Sequence, residues 1–223
     1  MVPNFDNITG SVIIRSTDEK NAKSFRSSIK QRRRKNATTR KLDKAMVNKF
    51  KPYTKNVIFF DAEFTSSNPY TGEIISLAVV KLSGEELYLE LEYDSPVSEW
   101  VKDKILPDLK NKKFSRADAI SIIKEFVGES KPYLISHYTP YDFVFINKLF
   151  KTNKPEQSPF DWVAIDIMSI FFGMGIDPKI MMPKLQSNPF YKNIGIDVSK
   201  YRIHNALDDA KLLREVYLKM SAL

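Results

Sequence analysis

Asn56-Val57-Ile58-Phe59-Phe60-Asp61-Ala62-Glu63-Phe64-Thr65 runs four large apolar residues straight into two carboxylates. A short apolar run without polar alternation is the pattern of a strand buried on both faces, in the middle of a covered sheet. Side chains two apart on a strand share a face, so Asp61 and Glu63 project together from the strand's end. Carboxylates held that close repel each other unless a cation sits between them. A hard, oxygen-seeking ion such as Mg²⁺ or Mn²⁺ suits the pair. Taken alone, the stretch reads more readily as an ordinary strand end with two solvated acids.

Outward from this strand, Ser66 to Gly72 has the composition of a turn, and Glu73 to Leu82 is a second, mostly apolar strand. After Ser83-Gly84, Leu87, Leu89 and Leu91 alternate with polar residues, the pattern of a half-buried antiparallel strand. The period then changes. Ala119, Ile120, Ile123 and Val127 share a helical face between Arg116 and Gly128. Pro132 to Ser136 is a short strand, followed by a helix from Asp142 to Phe150. Trp162 to Asp166 reads as a further strand and Ile167 to Phe172 as a helix. Ala206, Ala210, Leu213, Tyr217 and Met220 line one face of a last helix. A meander followed by strand–helix alternation makes an α/β domain, a mixed five-stranded sheet with helices on both faces. Residues 173–203 are the least legible, because Pro178, Pro183 and Pro189 break any long element.

The chain has 223 residues, 43% of them hydrophobic, enough for one domain with an appendage. No apolar run approaches the roughly 20 residues that span a bilayer, and the first residues lack a secretory pattern. Arg26 to Arg40 is rich in Arg, Ser and Thr like a mitochondrial presequence, but Asp6, Asp18 and Glu19 count against one. A cytoplasmic location is expected. The lack of cysteine excludes disulfides and thiolate metal sites.

The net charge of +8 is unevenly placed. Residues 1–56 carry 15 Lys/Arg against 4 Asp/Glu, and residues 57–223 carry 20 against 23. The division expected is therefore a basic leader over 1–52 and a domain over 53–223. Within the leader, Lys30-Gln31-Arg32-Arg33-Arg34-Lys35 is a self-repelling block. A tether for phosphate backbones and a solvated tail or localisation signal explain it equally well. Ala45, Met46, Val47 and Phe50 suggest a short helix over 43–52.

Further acids stand at strand–helix joints, where ligands collect in open α/β sheets. Asp142 lies in His137-Tyr138-Thr139-Pro140-Tyr141-Asp142, and Asp209 lies in the first turns of the last helix. His204 stands just ahead of that helix, with Asn205 as its N-cap.

Asp61-Ala62-Glu63, then Tyr141-Asp142, then His204 four residues before Asp209, resemble in order and spacing the three motifs of the DEDDh 3′→5′ exonucleases. Trp100-Val101, Leu106-Pro107-Asp108-Leu109 and the His204–Ala210 block look most like the small exoribonucleases of mycobacterial type, relatives of RNase T. The resemblance covers about residues 57–222 and leaves out the leader. It implies an RNase H-like fold and two-metal hydrolysis of the terminal phosphodiester at RNA 3′ ends, with DNA as the other substrate. By analogy Asp61, Glu63, Asp142 and Asp209 hold two Mg²⁺ or Mn²⁺ ions, Asp61 bridging them, and His204 is the general base. Asp209 rather than Asp208 takes the motif's position. Phe64, Thr65 and Tyr141 are the substrate-contact candidates; Phe64 is expected to stack on the terminal base and Tyr141 to fall in the core. His137 is read as structural and Asp166 as an N-cap. Related enzymes are often homodimers, and the resemblance extends that expectation here.

Overall fold

Val57, Ile58, Phe59 and Phe60 are all buried, as a central strand requires. In the computed structural model of the protein, which describes residues 49–150, 158–181 and 185–223, they open β1 (Val57–Phe64). On one side β1 pairs antiparallel with β2 (Ile74–Lys81), which pairs antiparallel with β3 (Glu86–Leu91). Beyond it α1 (Glu99–Lys104) and a 3₁₀ turn, Leu106–Asp108, lead to β4 (Lys113–Phe114) and α2 (Arg116–Val127). On its other side β1 pairs parallel with β5 (Tyr133–Ser136), which feeds α3 (Thr139–Phe150). The chain continues through β6 (Ile165–Asp166), α4 (Ile167–Gly173), α5 (Pro189–Asn193) and α6 (Ala206–Met220).

The result is a mixed sheet in the order β4-β3-β2-β1-β5-β6, covered on both faces. Ile58, Phe60 and Ala62 face α2 and α3 and meet Ile123, Phe145 and Ile146. Phe59 points the other way, its ring set edge-on against Tyr217 of α6 at 5.1 Å. Phe59 and Phe60 are both 0% exposed, and burying each stabilises the fold by roughly 1.5–3 kcal/mol.

Among the described residues the sheet has six strands rather than five. The additional β4 is two residues long and pairs parallel with β3, too short to show any alternation in sequence. The strand expected over Trp162–Asp166 is reduced to Ile165–Asp166. The helix expected from Asp142 begins three residues earlier, with Pro140 in its first turn, where a missing N–H leaves nothing unpaired. Ala119, Ile123 and Val127 are buried on α2 as expected, and Gly128 ends it at φ 73°. In the least legible stretch the prolines start short elements as well as breaking long ones: Pro178 opens a 3₁₀ turn and Pro189 opens α5 behind an Asn188 cap.

Residues 1–48 lie outside the described residues, and with them most of the basic leader and of the helix expected over 43–52. Residues 49–52 are not helical. Phe50 instead bridges Ser221: its N–H donates to Met220 O at 3.1 Å, and Ala222 N–H donates to its carbonyl at 2.8 Å. Its ring rests edge-on against Tyr217 at 5.0 Å. Among the described residues no helix is long and apolar enough to cross a membrane.

Phe50→Ala removes a half-buried ring but keeps the backbone bridge. It is expected to cost on the order of 2 kcal/mol, below the roughly 3–5 kcal/mol of a fully buried Phe. The measurement is urea denaturation of both proteins. A loss under about 0.5 kcal/mol, the range of an ordinary surface change, would show that Phe50 adds nothing to the domain.

Candidate active site

β1 delivers its two acids where the sheet pairing loosens. Its register with β2 shifts between Glu63 and Phe64, so the strand is held through Glu63 and released after it. Thr65 then closes the end. Its N–H donates to Glu73 O at 2.8 Å, and its hydroxyl accepts from Glu73 N–H at 3.0 Å. Ser98, the N-cap of α1, donates its N–H to Thr65 O at 2.9 Å, which hangs α1 beside the acids.

Asp209 reaches the pair from the first turn of α6. Asp61, Glu63 and Asp209 each offer a carboxylate oxygen within 4.8 Å of the others. Asp208 does not join them, because its carboxylate accepts from Arg202 N–H and Nε at 3.0 and 3.2 Å. Asn205 caps α6 by accepting from Asp208 N–H. His204 stands ahead of the cap at φ 62°, a left-handed conformation that turns its N–H onto Asp209 Oδ2 at 3.0 Å. Its imidazole meets Trp100 of α1 edge-on, ring centroids 4.9 Å apart.

Asp142 sits one turn into α3, only 4% exposed, with its carboxylate hydrogen-bonded to the Ser136 hydroxyl. Its charge acts on Asp61, and the charge of Glu63 acts on it. Like His204, Tyr138 before this helix is left-handed, at φ 64°. Both helices that carry an acid into the site thus follow a non-glycine residue at positive φ, conformations costing about 1–3 kcal/mol each that persist where the surrounding structure fixes them.

The other expected residues fall differently. Phe64 stacks face to face on Phe145 at 3.9 Å and packs into the core, so one face of its ring is already covered. Tyr141, expected in the core, is 49% exposed. Thr65 is 0% exposed, and its polar atoms are engaged by Glu73 and Ser98. Asp166 caps α4 through Ser169, and the half-buried His137 beside it meets Tyr138 edge-on. Two neighbours of the site were not among the expected site residues. Trp100 walls His204, and the buried Tyr191 of α5 lies near enough to Asp209 to feel its charge.

Electrostatically the cluster is overloaded. Two carboxylates this close repel by roughly 3–4 kcal/mol at an effective dielectric near 20. Burial and the charge of Asp209 push Glu63 up to about 8. Burial, opposed by the His204 N–H, pushes Asp209 up to about 7. Burial, with its acidic neighbours, raises Asp61, and burial raises Asp142. No described Lys or Arg forms an ion pair with any of the four. An all-oxygen, all-anionic donor set of this kind fits a hard divalent cation. By contrast burial lowers His204, which favours the neutral imidazole near pH 7.

Acids converging from a strand end and two helix starts on this sheet, with a histidine over them, define a metal-binding hydrolase of RNase H-like architecture. The exonuclease family named for RNase T matches residues 58–217, and the chain belongs to that family. It is a 3′→5′ exonuclease of the DEDDh type, a nucleic-acid-binding enzyme that uses divalent metal ions. DNA polymerase III subunit epsilon of Rickettsia conorii is 27% identical over 172 residues, 73% of this chain and 72% of that one. The crystal structure of E. coli Exonuclease I in complex with a dA16 oligonucleotide shares the fold with a TM-score of 0.56 at 15% identity. That match covers 74% of this chain and 40% of Exonuclease I, so the chain spans less than half of that protein. The zinc-bound form of the E. coli Exonuclease I complex with single-stranded DNA gives 0.55 at 14% identity, over 74% of this chain and 39% of that one.

The raised carboxylates make stability depend on pH. Below about pH 4 the acids are protonated in folded and unfolded chains alike, so burial costs nothing extra. As pH rises, the unfolded chain releases these protons first. The metal-free fold therefore loses stability from about pH 4 to about 8, the value to which Glu63 is raised. A divalent cation offsets that loss. The gap in Tm between Mg²⁺ and EDTA should be near zero at about pH 5 and widest at about pH 8. Equal gaps at both, followed by circular dichroism, would mean that no cation neutralises these acids.

Proposed function

We propose that the chain removes nucleotides one at a time from the 3′ ends of single-stranded RNA, with Mg²⁺ or Mn²⁺, in the cytoplasm. The observation that carries the reading is the joint between His204 and Asp209. One backbone N–H fixes the acid that completes the Asp61–Glu63 cluster and orients the histidine above it. The preference for RNA rests on the resemblance at Trp100-Val101 and Leu106-Pro107-Asp108-Leu109 to small exoribonucleases. The names of the epsilon subunit and of the Exonuclease I complexes favour DNA as the other substrate.

In this mechanism Asp61, Glu63 and Asp209 would hold one divalent ion, and Asp142 would help to hold a second. The bound ions supply positive charge that activates the attacking water and stabilises the departing 3′-oxygen. His204, neutral near pH 7, takes the water's proton on its imidazole. Trp100 limits where that ring can stand. The Ser136 hydroxyl orients Asp142. Tyr141, half exposed one residue from Asp142, is the aromatic surface open to the terminal base.

The test is purified protein on 5′-labelled RNA and DNA of one sequence. RNA should shorten stepwise from its 3′ end, faster than DNA. Asp61→Asn should abolish nearly all shortening, and His204→Ala should slow it about 10²–10⁴-fold. Faster loss of DNA would move the substrate reading to DNA. Undiminished hydrolysis by Asp61→Asn would remove the metal site from the mechanism.

The leader, 15 Lys/Arg against 4 Asp/Glu over residues 1–56, is proposed as a tether for the phosphate backbone. Removing residues 1–48 leaves Phe50 in place. It should flatten the log–log salt dependence of RNA binding by roughly 0.7 for each phosphate that the leader had neutralised. Turnover of a dinucleotide should be unaffected. A salt slope identical to the full chain's would make the leader an address or an inert tail.

A further inference from the structure

The body of the chain is acidic, yet Leu109-Lys110-Asn111-Lys112-Lys113-Phe114-Ser115-Arg116 holds four cations and no acid. Lys110, Lys112 and Lys113 are exposed, and none forms an ion pair with a described carboxylate. Arg116 is engaged elsewhere, on the carbonyls of Lys148 and Leu149. The three lysines therefore present uncompensated charge.

The loop that carries them is not loose. Glu90, 1% exposed, accepts from Lys110 N–H at 3.2 Å, Asn111 N–H at 3.1 Å, Asn111 Nδ2 at 2.9 Å and the Tyr88 hydroxyl at 3.2 Å. A buried carboxylate with four donors fixes the backbone beneath the lysines. Lys113 Nζ lies 4.7 Å over the Tyr93 ring, and Lys112 Nζ lies 5.5 Å from the Phe114 ring. Two of the three ammonium groups are thus held near aromatic rings while their side chains stay exposed.

Register ties this loop to the site. Glu63 pairs with Ser76, Ser76 with Glu90, and Glu90 with Lys113. Directly paired residues share a face of a sheet, so Lys113 belongs to the same row and face as Glu63, three strands away. Three inter-strand steps come to roughly 14 Å, about four phosphates at the 3.4 Å spacing of a helical strand and fewer when it is stretched. Between the two, α1 carries the half-exposed Trp100, and Val101 and Ile105 of α1 share an apolar cluster with Tyr93 and Leu109 beside the lysines.

Resting on the exonuclease reading above, we propose that Lys110, Lys112 and Lys113 form a second binding point for the same strand. They bind the phosphates a few nucleotides upstream of the scissile bond in single-stranded nucleic acid. The site holds the strand after each terminal nucleotide leaves, without reading its sequence.

The experiment is binding by the full chain in an Asp61→Asn background, which stops turnover. The ligands are a labelled single strand of about 20 nucleotides, longer than the roughly 4–16 that single-strand sites span, and a trinucleotide. Combined Lys110→Ala, Lys112→Ala and Lys113→Ala should weaken the long strand tenfold or more at about 0.1 M salt and lower the salt slope by about 2. Trinucleotide affinity should stay unchanged. The control removes the same charge elsewhere on the domain, at the exposed Lys131, Lys200 and Lys219, by Lys131→Ala, Lys200→Ala and Lys219→Ala, and should change both ligands less than twofold. Equal losses for the two ligands, equal losses in the two triple variants, or no binding of the long strand at all would overturn the proposal. If the unaltered chain binds the long strand but never shortens it with Mg²⁺ or Mn²⁺, the exonuclease reading fails and the lysine surface stands.

Discussion

Mutual repulsion among buried carboxylates is the constraint around which the rest of this structure is arranged. Asp61, Glu63 and Asp209 share a space less than 5 Å across, with Asp142 beside them. Left to relax, such groups separate or take up protons. The fold prevents separation by placing each on an element that cannot move alone. Asp61 and Glu63 belong to a strand with neighbours on both sides and buried aromatics on both faces. Asp209 is held by a helix lying across β1 and β2, and Asp142 by a helix whose inner face is core. What remains is a concentrated negative charge whose relief comes from outside the chain.

Rigid elements alone would not aim the acids. The two left-handed residues, Tyr138 and His204, make the turns that let α3 and α6 start at the site. Histidine tolerates this conformation better than most residues, whereas tyrosine has no such advantage. At His204 the strained backbone has an evident use, since the same rotation points its N–H at Asp209. The bend therefore serves geometry and charge together.

How much of this the sequence disclosed follows from the range of each interaction. β1 was legible because its burial shows in its own residues, and the order of the acids along the chain marked the site. Asn205 as a cap and the apolar face of α6 were legible for the same local reason. Short elements were not: β4 depends on pairing with β3, and α1 on Ser98, which donates to Thr65 O and accepts from Val101 N–H. The packing expected of Phe64 and Tyr141 came out reversed, because a ring's exposure depends on what packs against it. Phe145, 81 residues further on, covers one face of Phe64. The meeting of Trp100 with His204 is longer-ranged still and left no trace in spacing or composition.

The bridge between Phe50 and Ser221 also has a mechanical meaning. α6 supplies Asp209 near its start and holds Phe50 through Met220 and the residues after it, about 16 Å further along its axis. A pull on the chain ahead of Lys49 is met first by this two-bond clasp and by the Tyr217 ring. Six residues, 51–56, separate the clasp from β1. Load from that side is thus discharged into the far end of a helix, and the strand carrying Asp61 and Glu63 feels it only once the clasp has opened.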